Sequence, residues 1–492
     1  MAESTNNTKQ AAWLMLGNLF SFGFGIVSAM ILSRYFDKEE YGTYRQILYV
    51  YNTLLGFFTL GLPHAFAYFL PRSPIDQAKS VISKITNLFF ILGGILSLVL
   101  FFGADYIADV MNNPAMAYPL KIFSPTPFLM MPTMGLESIL ATYRQTKFMT
   151  VYVVLTRTVS LMCIALPVLI WGGDCNQAVM GFVISSCVSF VAALYLKYYP
   201  VRNAGKTPTD DRYSDIFKFC IPLFVASIWG VLINSTPQFF ISRYYGSEMF
   251  AVFSNGSMEL PFVGMVIGAV GGVLTPLFSR EVYKKENFEA TILPTWISVF
   301  VKSAIIIYPI TIFCMFNAEK IMVIMYGDQY AASGSFFEAR LICYFVKIIA
   351  FFPVIIALGA TKFYQKVFFF ELIALIALDW VAVFVFDNPV LITLFQSFCS
   401  IGACSVLLYF IASQFKVRMI ELIPVNSILI ISTVAIMSCI VAKLSQSYLY
   451  TDFNAFLQFC LNFTIFVILY IPITSIFNID YLSIIKPLFT KK

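Results

Sequence analysis

Nine ionisable side chains stand inside runs that are otherwise apolar: His64, Glu137, Arg157, Glu259, Lys302, Arg340, Lys347, Glu371 and Asp379. A charge at the centre of a membrane-spanning helix costs about 2.5 to 3.5 kcal/mol on insertion scales, so each is expected to face an aqueous cavity or an opposite charge. Two spacings make chemistry possible. Glu137 and Arg157 lie ten residues either side of Lys147, so a helical hairpin turning there sets them at one depth. They would then lock the hairpin as an ion pair, or face a cavity together and touch a substrate. Arg340 and Lys347 are seven apart, two turns or about 10 Å along one helix face, with Lys302 deep in the preceding span. Together they would make one inner wall electropositive, although Arg340 could instead snorkel to the outer interface. Glu259, Glu371, Asp379 and His64 are the groups that could carry a coupling ion or proton. For His64, the only histidine, a structural role after Gly61-Leu62-Pro63 is the other reading.

Soluble enzyme chemistry finds no footing. The longest outer loop, about residues 104 to 120, holds Asp105 and Asp109 but no histidine, and there is no phosphate-binding glycine loop. The ten cysteines show no CxxC or histidine-paired spacing and sit mostly in apolar runs, so neither a metal site, a disulfide framework nor a cofactor is expected. Basic residues fall in short gaps between apolar runs, where they report topology and lipid headgroups and not a nucleic-acid partner.

The elements that must carry these groups are membrane helices. Of 492 residues, 59% are apolar and 12% charged, with mean hydropathy +0.82; soluble domains are about 25% charged. Runs of about 20 apolar residues predict fourteen spans: 11–33, 47–70, 86–103, 121–142, 150–171, 177–197, 219–242, 250–278, 291–316, 335–359, 364–386, 390–413, 423–442 and 456–478. Twelve is the fallback, because 86–103 is short and Pro261 interrupts 250–278. The first run is too long for a cleaved signal and is expected to stay as an anchor. With the N-terminus inside, twenty-one Lys and Arg fall on the inner side, seven on the outer side (Arg45 among them) and four within spans, together the chain's 32. This bias predicts both termini in the cytoplasm.

The chain also repeats itself. Leu32-Ser33-Arg34-Tyr35-Phe36 and Ile241-Ser242-Arg243-Tyr244-Tyr245 align without a gap, and Phe69-Leu70-Pro71-Arg72 matches Leu277-Phe278-Ser279-Arg280 one helix later. Six spans lie between the copies, an even number, so both copies face the same way. The expected fold is all-α and integral to the membrane: a six-helix lobe over 1–199, a cytoplasmic linker over 200–214, a second six-helix lobe over 215–414, and two added helices with a tail over 415–492.

The run LSRYFDKEEYGTY from Leu32 to Tyr44, and the stretch from Ile221-Pro222-Leu223 to Pro276-Leu277-Phe278-Ser279-Arg280, resemble the polysaccharide-export members of the multidrug/oligosaccharidyl-lipid/polysaccharide exporter superfamily, whose familiar subgroup is the Wzx-type O-antigen flippases. The resemblance spans roughly residues 11 to 415. It implies a MATE-like fold, with two lobes around a cavity that opens alternately to either side of the bacterial inner membrane. It also implies a function: moving undecaprenyl-diphosphate-linked oligosaccharide repeat units for O-antigen, capsule or exopolysaccharide, coupled to an ion gradient. A polysaccharide polymerase and a chain-length regulator are candidate partners beside membrane lipids. The alternative is a MATE-type ion-coupled exporter of small amphipathic cations. One departure is Gln238, where family members often carry an acid, which leaves ion coupling at that position in doubt.

Overall fold

A computed structural model describes residues 2–205, 207–284, 288–349, 351–477, 479 and 481. Among the described residues every element is helical, with no strand. Twelve helices are long and apolar enough to cross a membrane, and the pair Ser333–Lys347 and Phe351–Ala357, bent by 40°, would make thirteen. By packing, the chain falls into two units, Met1–Ser254 and Asn255–Lys492.

The first unit holds α1 (Ala2–Tyr35), α2 (Lys38–Phe58), α3 (Pro63–Phe69), α4 (Ala78–Phe102), α5 (Ala104–Val110), α6 (Ala117–Phe123), α7 (Thr126–Met130), α8 (Leu136–Thr142), α9 (Thr146–Trp171), α10 (Cys175–Tyr198) and most of α11 (Tyr213–Gly256). The expected fourth span, 121–142, is a chain of short helices, not one rod. Pro125, Pro127 and Pro132 each remove a backbone donor, and Gly135 takes φ 78°, ψ 0° ahead of α8. A Cβ at Gly135 would also lie 2.1 Å from the Phe66 ring, so this corner needs glycine for conformation and for space. Helices α9 and α10 touch backbone to backbone: a Cβ on Gly181 would lie 2.0 Å from the Cys163 carbonyl oxygen.

Both sequence copies interrupt their helix at the aligned position, in different ways. Asp37 is extended and caps α2, its carboxylate accepting from the Glu40 N–H at 2.7 Å. At the aligned position Gly246 breaks α11 with φ 80°, ψ −175°. These corners pack on one another. Gln46 Nε2 donates to Ser242 Oγ (2.7 Å), Asn113 Nδ2 donates to Thr43 Oγ1 and Gln46 Oε1, and Gly42 lets the Ser247 backbone approach until a Cβ would be 1.9 Å from its oxygen. Among its described residues, the segment 200–214 is bonded to α4 of this unit. Lys79 Nζ donates to the Arg202 and Ala204 carbonyls, and Lys84 Nζ to those of Thr209 and Asp211.

The second unit holds α12 (Pro261–Lys284), α13 (Phe288–Phe316), α14 (Ala318–Tyr326), α15 (Ser333–Leu341), α16 (Tyr344–Lys347), α17 (Phe351–Ala357), α18 (Thr361–Phe384), α19 (Pro389–Phe415), α20 (Val425–Leu449) and α21 (Ala455–Ile476). The last two helices, α20 and α21, are joined to α13 by a buried cluster of Ile312, Phe313, Val434, Ala435, Phe466 and Tyr470. A polar knot adds to this: Gln446 donates to Gln458 at 3.0 Å and accepts from Lys320 on α14.

Candidate functional site

Three cavities in the first unit, one mainly polar and two of mixed lining, share their arginines. The first, about 260 Å³, is lined by Glu137 of α8, by Tyr152, Thr156 and Arg157 of α9 and by Ser185 and Ser189 of α10. The second, about 180 Å³, is lined by Arg157 again, with Ser28 of α1, Tyr41, Tyr44 and Arg45 of α2 and Ser160. The third, about 260 Å³, is lined by Arg45, Asn52 and Thr53 of α2, with Asn234, Ser235 and Gln238 of α11 and Ser254. Arg157 belongs to the first two and Arg45 to the last two, so two guanidiniums mark one polar route through the unit. Glu137 is the one carboxylate among all the lining residues. The balance therefore favours an anion.

Local structure explains how the groups reach this route. On α2 the spacing Arg45, Tyr49, Asn52, Thr53 is that of one helix face. The face is fixed by bonds across to α11: Tyr49 Oη donates to the Ser235 carbonyl at 3.2 Å, and the Thr53 and Ser235 hydroxyls meet at 3.0 Å. Arg45 Nε donates to Ser254 Oγ at 2.5 Å. On α9, Thr156 turns its hydroxyl back onto the Tyr152 carbonyl (2.7 Å), which leaves the exposed Arg157 to reach into the two cavities it lines. Gln238 Nε2 donates to the Asn234 carbonyl at 3.0 Å.

Glu137 and Arg157 line one cavity as two of its walls, although the turn between α8 and α9 falls at residues 143–145 and not at Lys147, so the two are not equally far from it. Among the described residues no ion pair joins them. Arg45 was missed because it lies among polar residues just past the first span and counts there as an outer-loop cation; the i, i+4, i+7, i+8 polar face was the signal that could have found it.

In the second unit the expected cationic wall is divided. Arg340 and Lys347 stand on one helical run, Ser333–Lys347, whose 40° bend comes only after Lys347, yet they meet different partners. Arg340 is buried and holds Glu259 at 2.7 Å. Lys347 and Glu371 line a separate, mainly apolar cavity of about 550 Å³. Lys302 is exposed and lines none of these four cavities. His64 is exposed at the start of α3. Asp379 is fully buried, and neither carboxylate oxygen has a hydrogen-bond partner among the described residues. No cluster of three or more metal-ligating side chains occurs among the described residues.

The family model described as "Polysaccharide biosynthesis protein" matches residues 8–282. The succinoglycan biosynthesis transport protein ExoT of Rhizobium meliloti (strain 1021) is 24% identical over 328 residues, 66% of this chain and 63% of that protein's length. Among solved structures, the lipid II flippase MurJ in an inward closed conformation superposes with a TM-score of 0.74 at 16% identity, over 97% of this chain and all of its own. An inward-facing multidrug resistance MATE transporter of the MOP superfamily superposes at 0.55 with 13% identity, over 83% of this chain and 94% of its own.

Proposed function

Because the chain belongs to the polysaccharide biosynthesis protein family and is a multi-pass membrane transporter with a MATE-like and MurJ-like fold, we propose that it flips a lipid-linked oligosaccharide, carried on undecaprenyl diphosphate, across the bacterial inner membrane by alternating access. The observation that carries this reading is the polar route of the first unit, with two guanidiniums against one carboxylate. A diphosphate needs counter-charge and several donors at once, and arginine forks supply both. The serine, threonine and asparagine side chains around them offer the mixed donors and acceptors that sugar hydroxyls use. Lys302 and Arg340 have weaker claims on the substrate, one standing outside the cavities and the other already paired.

Of the four ion-coupling candidates, Asp379 has the surroundings of a group that takes up a proton or cation, because a buried carboxylate without partners is costly when charged. Glu259 is committed to Arg340, and His64 stands open. On this reading both termini face the cytoplasm, and the repeat unit crosses for O-antigen, capsule or exopolysaccharide assembly beside a polymerase and a chain-length regulator.

The test is surface polysaccharide in cells whose own copy is deleted. Arg157→Ala at wild-type membrane level should abolish it and Arg157→Lys should leave an intermediate amount, since charge survives the second change and bidentate geometry does not. Normal polysaccharide with Arg157→Ala would remove the arginine route from the mechanism.

A further inference from the structure

The 550 Å³ cavity of the second unit has a make-up unlike the polar route, and its volume falls in the range of about 300 to 1,000 Å³ typical of ligand sites. One wall is helix α12 at Gly268, Gly271 and Gly272, where a Cβ would meet no heavy atom within 4 Å. Glycines in membrane helices usually let a neighbouring helix come close. These have no such neighbour, so they leave a trough floored by backbone. The facing walls are apolar and aromatic, with Phe351, Phe352, Phe368 and Leu407.

Two charged groups stand in this apolar cavity, one of each sign. Glu371 is 7% exposed and accepts from Ser400 Oγ at 3.0 Å through Oε1, while its Oε2 has no hydrogen-bond partner among the described residues. Lys347 is near enough to interact with it electrostatically, yet no ion pair within 4 Å joins them among the described residues. An ammonium and a carboxylate held apart in an apolar site, each with bonding capacity left over, are the complement of a zwitterion.

We propose that this cavity binds a zwitterionic phospholipid of the phosphoethanolamine type. Lys347 takes the phosphate, Glu371 takes the ammonium, and one acyl chain lies along the glycine trough. The site is independent of the oligosaccharide reading: it would exist whatever the cargo of the first unit, and its test measures lipid retention, not transport.

The experiment is native mass spectrometry of the purified, delipidated full chain, titrated with phosphatidylethanolamine or with phosphatidylglycerol of the same chains. The expected result is one tightly held phosphatidylethanolamine, preferred about tenfold over phosphatidylglycerol, the difference one charge-assisted hydrogen bond makes. Glu371→Gln should erase the preference, Lys347→Ala should weaken both lipids, and Gly271→Leu should remove the tight site by filling the trough. Gly271→Ala, which the open space and helix propensity both favour, controls for folding and should keep the site. Equal binding of both lipids, or tight binding that survives Gly271→Leu, would overturn the proposal. So would saturable binding of tetraphenylphosphonium that needs Glu371 and is unaffected by Lys347→Ala, which would make the cavity a site for lone cations.

Discussion

If Arg45 and Arg157 grip one diphosphate, removing both should cost less than the sum of the single losses. A hydrogen bond to a charged group contributes about 1.5 to 3 kcal/mol, so each alanine change should weaken apparent affinity by about 10- to 150-fold. The surroundings separate binding from folding. Arg157 is exposed and pairs with no carboxylate among the described residues, so Arg157→Ala strands no buried partner and should leave stability within about 0.5 kcal/mol. Arg45 also bonds Ser254, so Arg45→Ala should lose about 1 kcal/mol of stability besides its binding effect. The assay is the half-saturating concentration for flipping a fluorescent lipid-linked oligosaccharide in proteoliposomes, for wild type, both single variants and the double. Shared grip predicts a coupling of about 1 kcal/mol or more, against additivity within about 0.3 to 0.5 kcal/mol for independent sites. Additive losses would mean that the two arginines serve separate cavities, and unchanged half-saturation in both single variants would refute the phosphate grip altogether.

Gly42→Ala should destabilise the protein by about 1 to 3 kcal/mol, because the new methyl meets Ser247 backbone at 1.9 Å. Gly56→Ala should cost less, since its nearest contacts are the Val231 methyls at 2.9 and 3.0 Å; thermal melts in detergent should rank the two in that order. Glu259→Ala should cost about 1 kcal/mol, because Arg340 loses a charge-assisted hydrogen bond while the Glu259 side chain, 67% exposed, opens that side to water, and adding Arg340→Met should restore much of the loss; a double variant no more stable than Glu259→Ala would count against the pair. A cysteine placed at exposed Asn203, in a cysteine-free background, should resist membrane-impermeant maleimide in intact cells and react once the membrane is opened; labelling from outside would reverse the proposed topology.

Much of the architecture was legible in the chain because hydropathy and helical period are local properties. Charge scarcity and apolar runs place the helices whatever their neighbours, and the Asp37 and Gly246 corners follow from residues a few positions away. Glu137 and Arg157 line one cavity because a short turn joins α8 to α9, although that turn lies at residues 143–145, ahead of Lys147. The segmented 117–142 stretch was readable in its prolines, although hydropathy alone joined them into one span.

What only tertiary structure decided was the partner of each charge. Arg340 belongs with Glu259, 81 residues earlier, while Lys347, on the same helical run, lines a cavity with Glu371. Arg45 enters the route only because α2 packs against α11, nearly two hundred residues downstream. Lys197, at the end of the sixth expected span, is wholly buried, its ammonium over the Phe66 ring at 4.6 Å. A sequence states how costly a charge would be in the bilayer, since that depends on the residue and its neighbours along the chain. It does not state which distant helix relieves the cost, since that depends on packing among elements that share no local pattern.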